Sequence, residues 1–213
     1  MADIFDSLRP YGVVPVVAVE TTDDGLRLCE TLLSAGLPVA EITFRTQAAE
    51  PVIREAGKRF PEIHLGAGTV LTKDQMDRAI DAGATFGVAP GCNPDVVEHA
   101  LKHGFPFAPG VCTPSDIEKA VSLGLTFLKF FPAEAVGGVT LLKALSGPYG
   151  HLGLQFCPTG GINPNNFLDY LALPQVGFVG GSWVARKDLI KAGKWNEISD
   201  IAKQAVAQAK QKR

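Results

Sequence analysis

Hydrophobic and polar positions along this chain follow two periods, and the switch from one to the other falls at glycines. Apolar residues recur at helical spacing in four stretches: Leu26, Cys29, Leu32 and Leu33; Met76, Ala79 and Ile80; Val97, Ala100 and Leu101; Ile117, Ala120 and Val121. That spacing marks helices with one buried face. Each stretch runs into Gly36, Gly83, Gly104 or Gly124 and then into a short apolar run, in SAGLPVAEITF, DAGATFGVAP, KHGFPFAPG and SLGLTFLKFFP. The glycine has the place of a left-handed C-terminal cap, so the repeated unit is helix, glycine, strand.

Strands are expected over 13–19, 39–44, 64–70, 85–89, 106–111, 126–131, 154–158 and 176–181. Eight strands alternating with helices predict an α/β protein. The expected architecture is a single (β/α)8 TIM barrel over residues 1–213, although an open doubly wound sheet would show the same local pattern. An opening helix over residues 2–9 is placed to plug one end, and a closing helix over about 195–208 carries a charged tail expected to fray. No linker or low-complexity block interrupts the chain, which reads as one domain. Several strands lead into turn-forming residues, at Gly68-Thr69, Pro90-Gly91, Pro109-Gly110, Thr159-Gly160-Gly161 and Gly180-Gly181-Ser182. In a barrel those C-terminal strand ends line the mouth where chemistry happens.

Composition narrows the classes. With 213 residues, 46% of them hydrophobic, the chain can bury a sizeable core. Its 20 basic and 22 acidic side chains, net −2, form no basic stripe, so neither nucleic acid nor an anionic membrane is an expected partner. The apolar run over 13–19 is broken by Pro15 and reads as neither signal peptide nor membrane span. Cys29, Cys92, Cys112 and Cys157 have no C-x-x-C spacing, which argues against a zinc ribbon or thioredoxin-type site and fits reduced thiols in a cytoplasmic protein.

Two segments carry charge where burial is expected. In TFLKFFPAE, Lys129 is flanked by Phe127, Leu128, Phe130 and Phe131, so either face of a strand there is apolar. Burying an ammonium is costly and favours the neutral amine, which is a nucleophile toward carbonyls. In AEITFR, Ala40, Ile42 and Phe44 alternate with Glu41, Thr43 and Arg45, sending a glutamate and an arginine inward or to the mouth. The structural alternative is an internal ion pair that fixes strand packing. The functional reading makes Lys129 a Schiff-base amine, Glu41 its proton carrier and Arg45 the grip on a substrate carboxylate. Gly160 and Gly161 after the seventh strand, with Gly180, Gly181 and Ser182 after the eighth, offer a phosphate seat. His99 and His103 lie four apart on an expected helix, but no third ligand follows them, and they read as solvated helix face. His64 and His151 are isolated; Lys73, Lys119 and Lys143 read as surface.

With these residues in hand, the chain resembles the class I aldolase family that cleaves 2-keto-3-deoxy-6-phosphogluconate (KDPG), often also 4-hydroxy-2-oxoglutarate (KHG). The resemblance is carried by AEITFRT, GAGTV, FLKFFPAE, FCPTGGI and GGSW between Val13 and Trp183. It implies a (β/α)8 barrel, usually a homotrimer, acting on a phosphorylated 2-keto acid with no metal and no organic cofactor. Lys129 then looks like the Schiff-base lysine and Glu41 like the general acid/base, with Arg45 and Thr69 on the pyruvate carboxylate. Pro90, Phe131 and Thr159 look like walls around the pyruvyl unit, and Gly160, Gly161, Gly180, Gly181 and Ser182 like the phosphate seat. Related galactonate aldolases tend to carry an Asn-Ser-Pro type segment where this chain has Arg45-Thr46-Gln47, which favours the gluconate-derived substrate. A phosphosugar epimerase or isomerase and a non-enzymatic phosphosugar-binding barrel are the rival classes.

Overall fold

A computed structural model describes residues 4–212. Its strands are β1 (Val13–Val17), β2 (Val39–Thr43), β3 (His64–Gly68), β4 (Phe86–Val88), β5 (Phe107–Ala108), β6 (Gly110–Val111), β7 (Phe127–Phe130), β8 (Gln155–Pro158) and β9 (Val179–Gly181). The helices that alternate with them are α1 (Ile4–Leu8), α2 (Thr22–Ser34), α3 (Ala49–Arg59), α4 (Lys73–Ala82), α5 (Pro94–Lys102), α6 (Pro114–Ser122), α7 (Gly138–Tyr149), α8 (Phe167–Leu171), α9 (Lys187–Lys191) and α10 (Trp195–Lys212). All strand pairs are parallel, as helical crossovers require.

The glycine punctuation forms as expected. Gly36, Gly83, Gly104 and Gly124 have φ of 76°, 91°, 60° and 84°. The residue after each donates its amide five residues back, Leu37 to Leu32 at 3.0 Å, Ala84 to Ala79 at 3.0 Å, Phe105 to Ala100 at 2.9 Å and Leu125 to Ala120 at 3.2 Å. This closes each helix with a Schellman turn and aims the chain back at the sheet. The other ends are capped by side chains: Thr21, Thr72 and Thr113 accept the amides of Asp24, Gln75 and Asp116, and at α6 Asp116 completes a capping box.

The ladders run β5-β4-β3-β2-β1-β9 and β6-β7-β8. Among the described residues they are therefore not one uninterrupted eight-stranded ladder. The strand expected over 106–111 is split at Pro109, whose nitrogen carries no hydrogen to donate. Before it, Ala108 accepts the Ala89 amide; at and after it the chain pairs with β7, the Pro109 carbonyl accepting the Lys129 amide at 2.9 Å. The last expected strand is also shorter, with Val176 joined to Phe156 only by an isolated parallel bridge; a second such bridge joins Thr159 to Gly180.

Two helical expectations meet their outcome at the termini. Residues 2 and 3 lie outside the described residues; from Ile4 the opening helix places Phe5 at the N-terminal side of the strands. Its ring stacks on Phe127 at 4.3 Å and meets Phe86 edge-on at 5.9 Å, while Phe127 also stacks on Phe178. The closing helix does not fray at 208 but continues to Lys212. Its apolar face continues too: Ala202, Ala205, Val206 and Ala209 are buried. A Cβ built on Gly12 would sit 2.4 Å from the Ala209 Cβ, so only glycine admits that approach.

Candidate active site

β2 is buried along its whole length, which a strand with a glutamate tolerates only if the carboxylate has partners. Ala40 and Ile42 pack beneath α2 and α3, and the alternation expected from the sequence turns Glu41 and Thr43 the other way. Glu41 meets Lys129 of β7: Lys129 Nζ lies 3.1 Å from Glu41 Oε1 and 3.4 Å from Oε2. Both side chains are nearly sealed from solvent, 7% and 4% exposed. An amine and a carboxylate buried together in hydrogen-bond contact can exchange a proton without either charge being left unpaired.

Two glycines and a threonine make this placement possible. A Cβ on Gly68 would fall 2.3 Å from Glu41 Oε1, so the bare backbone of β3 opens the space that the carboxylate fills. On the far side, a Cβ on Gly180 would strike Thr159 Oγ1 at 2.3 Å, so β9 makes room for the buried Thr159. Thr43 donates to the Val17 carbonyl at 2.9 Å and accepts from Arg45 Nε at 3.1 Å, tying the arginine back to the barrel strands. Sequence reading placed Thr43 inward with Glu41 and Arg45 and Gly68 at a strand end, but assigned neither a role.

Arg45 lies past the end of β2, exposed, on a cavity of about 530 Å³ that it shares with Ala18, Glu20, Thr46, Gln47 and Lys187. Lys187 pairs with Glu20 at 2.6 Å, and that lysine holds the Glu20 carboxyl below its ordinary range. A second cavity of about 330 Å³, around Phe5, Phe105 and Phe127 at the other end of the strands, is lined by no titratable side chain.

The remaining expected residues divide into two groups. Thr69, half-buried just past β3, has φ of 59°, a left-handed conformation that threonine rarely adopts and that is tolerated where surrounding structure imposes it. The Phe131 ring centroid is 5.9 Å from Lys129 Nζ, and Pro90 packs its carbonyl where a Cβ on Gly110 would otherwise be. Cys157, register partner of Lys129, is a neighbour that the sequence did not flag. Burial pushes its thiol up to about 12, against the opposing pull of Lys129.

Farther out, Gly160 and Gly161 turn with φ of 98° and 81°. Asn163 and Asn166 both donate to the Gly161 carbonyl, and Tyr170, buried in α8, donates to Glu134 beside the same turn. The Thr159 amide donates to the Phe130 carbonyl at 2.9 Å, and a parallel bridge joins Thr159 to Gly180 just before this turn. Gly180 and Gly181 are buried in β9, and Ser182 is exposed after it.

Elsewhere, Lys73, Lys119, Lys143 and His151 are exposed as expected. His103 is exposed and His99 half-buried, and Asp77 of α4 lies beside them, its Oδ1 2.6 Å from His99 Nε2. None of the described helices is long and apolar enough to cross a membrane.

Comparison with known proteins adds chemistry to this geometry. The family model for KDPG and KHG aldolase matches residues 4–201. A 2-dehydro-3-deoxy-phosphogluconate aldolase of Haemophilus influenzae is 46% identical over 203 residues, 95% of each chain. The KHG/KDPG aldolase of Escherichia coli K12 is 41% identical over 198 residues, 93% of this chain and 92% of its own. Among solved structures, KDPG aldolase from Legionella pneumophila, with pyruvate captured at low pH as a covalent carbinolamine, superposes with a TM-score of 0.90. It is 36% identical over 94% of this chain and 97% of that one.

Proposed function

The chain belongs to the KDPG and KHG aldolase family, and we propose that it cleaves 2-dehydro-3-deoxy-6-phosphogluconate to pyruvate and D-glyceraldehyde 3-phosphate through an imine on Lys129. The observation that carries the assignment is the sealed contact between Lys129 and Glu41. A purely structural ion pair would have the same geometry. The capture of pyruvate as a carbinolamine in the Legionella relative supports a reactive amine instead.

The reaction follows from the groups present. Lys129 passes a proton to Glu41 and adds through Nζ to the C2 ketone; Glu41 returns that proton to the carbinolamine hydroxyl, which leaves as water to give an iminium and a free carboxylate. Glu41, through a water, takes the C4 hydroxyl proton as the C3–C4 bond breaks; its electron pair flows into the iminium to leave an enamine, and the aldehyde departs. Protonation at C3 and hydrolysis release pyruvate and restore the amine. Arg45 suits the substrate carboxylate because a guanidinium can pair with it bidentately, with Thr69 beside it. Pro90, Phe131 and Thr159 wall the pyruvyl unit. The left-handed glycine turn at Gly160 and Gly161, with Gly180, Gly181 and Ser182 at the end of β9 beside it, supports the phosphate seat. Neither a metal nor an organic cofactor has a step in this scheme.

KHG cleavage to pyruvate and glyoxylate belongs to the same reading, since the pyruvyl half is shared and a relative at 41% identity carries both names. Arg45-Thr46-Gln47 favours the gluconate-derived epimer over the galactonate one. The two ladders read as one closed (β/α)8 barrel: a single proline separates β5 from β6, and parallel bridges span β8 and β9. The homotrimer and the cytoplasmic location are likewise proposals, the latter supported by four unpaired cysteines.

The decisive experiment is intact mass after incubation with pyruvate and sodium borohydride, with peptide mapping and the Lys129→Ala variant alongside. One reduced pyruvyl adduct on Lys129, absent from the variant, is the expected result. Well-folded protein that gains no adduct would overturn the imine and move the isomerase and the binding-protein readings ahead.

A further inference from the structure

Away from the strand ends, one cluster of ligating side chains spans two helices of the outer layer. Asp77 of α4, His99 of α5 and His103 at the end of α5 bring one ligand atom each within 4.8 Å of one another. The two histidines are one helical turn apart, so they share a face by construction. Asp77 comes from the preceding helix, and His99 Nε2 lies 2.6 Å from its Oδ1. We propose that Asp77, His99 and His103 form a site for a divalent cation of the zinc, copper or nickel class, fastening α4 to α5.

The hydrogen bonds already arrange the ligands. His103 Nδ1 lies 2.8 Å from the His99 carbonyl, and its own backbone amide reaches the same oxygen at 3.2 Å. A carbonyl can only accept, so Nδ1 carries the proton and Nε2 presents its lone pair. This is the backbone-oriented imidazole commonly found in metal sites. The two rings pack close together but tilted, their centroids 4.4 Å apart and their planes at 49°. His99 is partly sheltered at 19% exposure, whereas Asp77 is half-exposed and free to adjust.

Adjustment is required at each pair, the three ligand atoms now lying within 4.8 Å of one another. Two donors each about 2.0–2.1 Å from a tetrahedral ion lie about 3.3 Å apart. The His99–Asp77 pair must therefore open by roughly 0.7 Å from its present 2.6 Å. The proton shared by that pair leaves to solvent as the cation enters, and solvent completes the coordination. Two imidazoles and one carboxylate select a borderline ion over magnesium or calcium, which favour oxygen ligands. The proposal is independent of the aldolase reading, because all three residues stand on helices rather than at the strand ends.

The test is titration of the full-length protein with Zn2+ by calorimetry, together with thermal unfolding. The expected result is one equivalent bound and a midpoint raised by on the order of 5 °C at saturation, with no shift from Mg2+. His99→Gln and His103→Gln should each weaken binding about tenfold or more, while a Cys92→Ser/Cys112→Ser double variant leaves it intact. An anomalous-difference map of wild-type crystals soaked in Zn2+ should place the peak among the three side chains. No binding at millimolar Zn2+, binding unchanged in both histidine variants, or a peak elsewhere would each overturn the site.

Discussion

At Gly68 a missing side chain positions a charged one. Its bare Cα is what lets the Glu41 carboxylate lie against Lys129, so Gly68→Ala should displace that carboxylate by on the order of 1 Å and lower kcat about 100-fold. Steady-state kinetics with a folded-state check by circular dichroism reads this; an unchanged kcat would show that the glutamate is not the proton carrier. The ion pair itself makes a second prediction. Lys129→Met leaves a buried carboxylate without its partner and should lose about 3–5 kcal/mol in urea unfolding, much of it recovered by adding Glu41→Gln. Thiols are a third case. Burial raises Cys29 and Cys157 to about 12, so both stay protonated at pH 8. A disulfide-exchange reagent should titrate the half-exposed Cys92 and Cys112 in native protein, and all four only after denaturation; four fast thiols in the native state would contradict the burial.

Helix ends set what can be tested at the scale of the element. The α6 capping box joins Thr113 and Asp116, whose carboxyl is penalised by burial yet held below its ordinary range by bonds from the Cys112 and Thr113 amides and the Thr113 hydroxyl. Because the folded state lowers this pKa, its stabilisation is fully present above about pH 4 and fades as pH falls through the folded value. Thr113→Ala should lower stability by about 1 kcal/mol at neutral pH, measured as a shift in urea midpoint at constant slope. These caps were legible in the sequence, since the helix, glycine, strand phrase is local chemistry. The break at Pro109 was legible too, as a proline in an expected strand, but its consequence was not: which neighbour each half pairs with is decided by strands distant in the chain. The extra turn of α10 was hidden for a similar reason, because alanines give little periodic signal until Gly12 is seen to receive Ala209.

Across the whole molecule, the candidate site was readable to the extent that a charge interrupts a strand otherwise apolar on one or both faces. Lys129 and Glu41 stood out as charges on apolar strands, yet their meeting across 88 residues is tertiary. Thr43 and Cys157 received no role from the sequence, and Asp77 was not singled out, because a threonine in a strand, a buried thiol and an exposed aspartate are each unexceptional until a neighbour is known. Assembly belongs to this scale as well: light scattering at micromolar concentration should give three times the chain mass, and a monomer would remove the trimer.

The aromatic stopper of Phe5, Phe86, Phe127 and Phe178 leaves the proposed reaction chamber with one doorway. Traffic through a single doorway has to be sequential. Under the proposed mechanism the phosphorylated fragment is freed first, while the pyruvyl fragment is still bonded to Lys129, and only the second departure empties the chamber. In the synthetic direction the order reverses, so pyruvate must be loaded before the aldehyde can be captured. An aldehyde that arrives early occupies the passage its co-substrate needs, and high aldehyde concentrations become inhibitory in proportion to how tightly the phosphate is held.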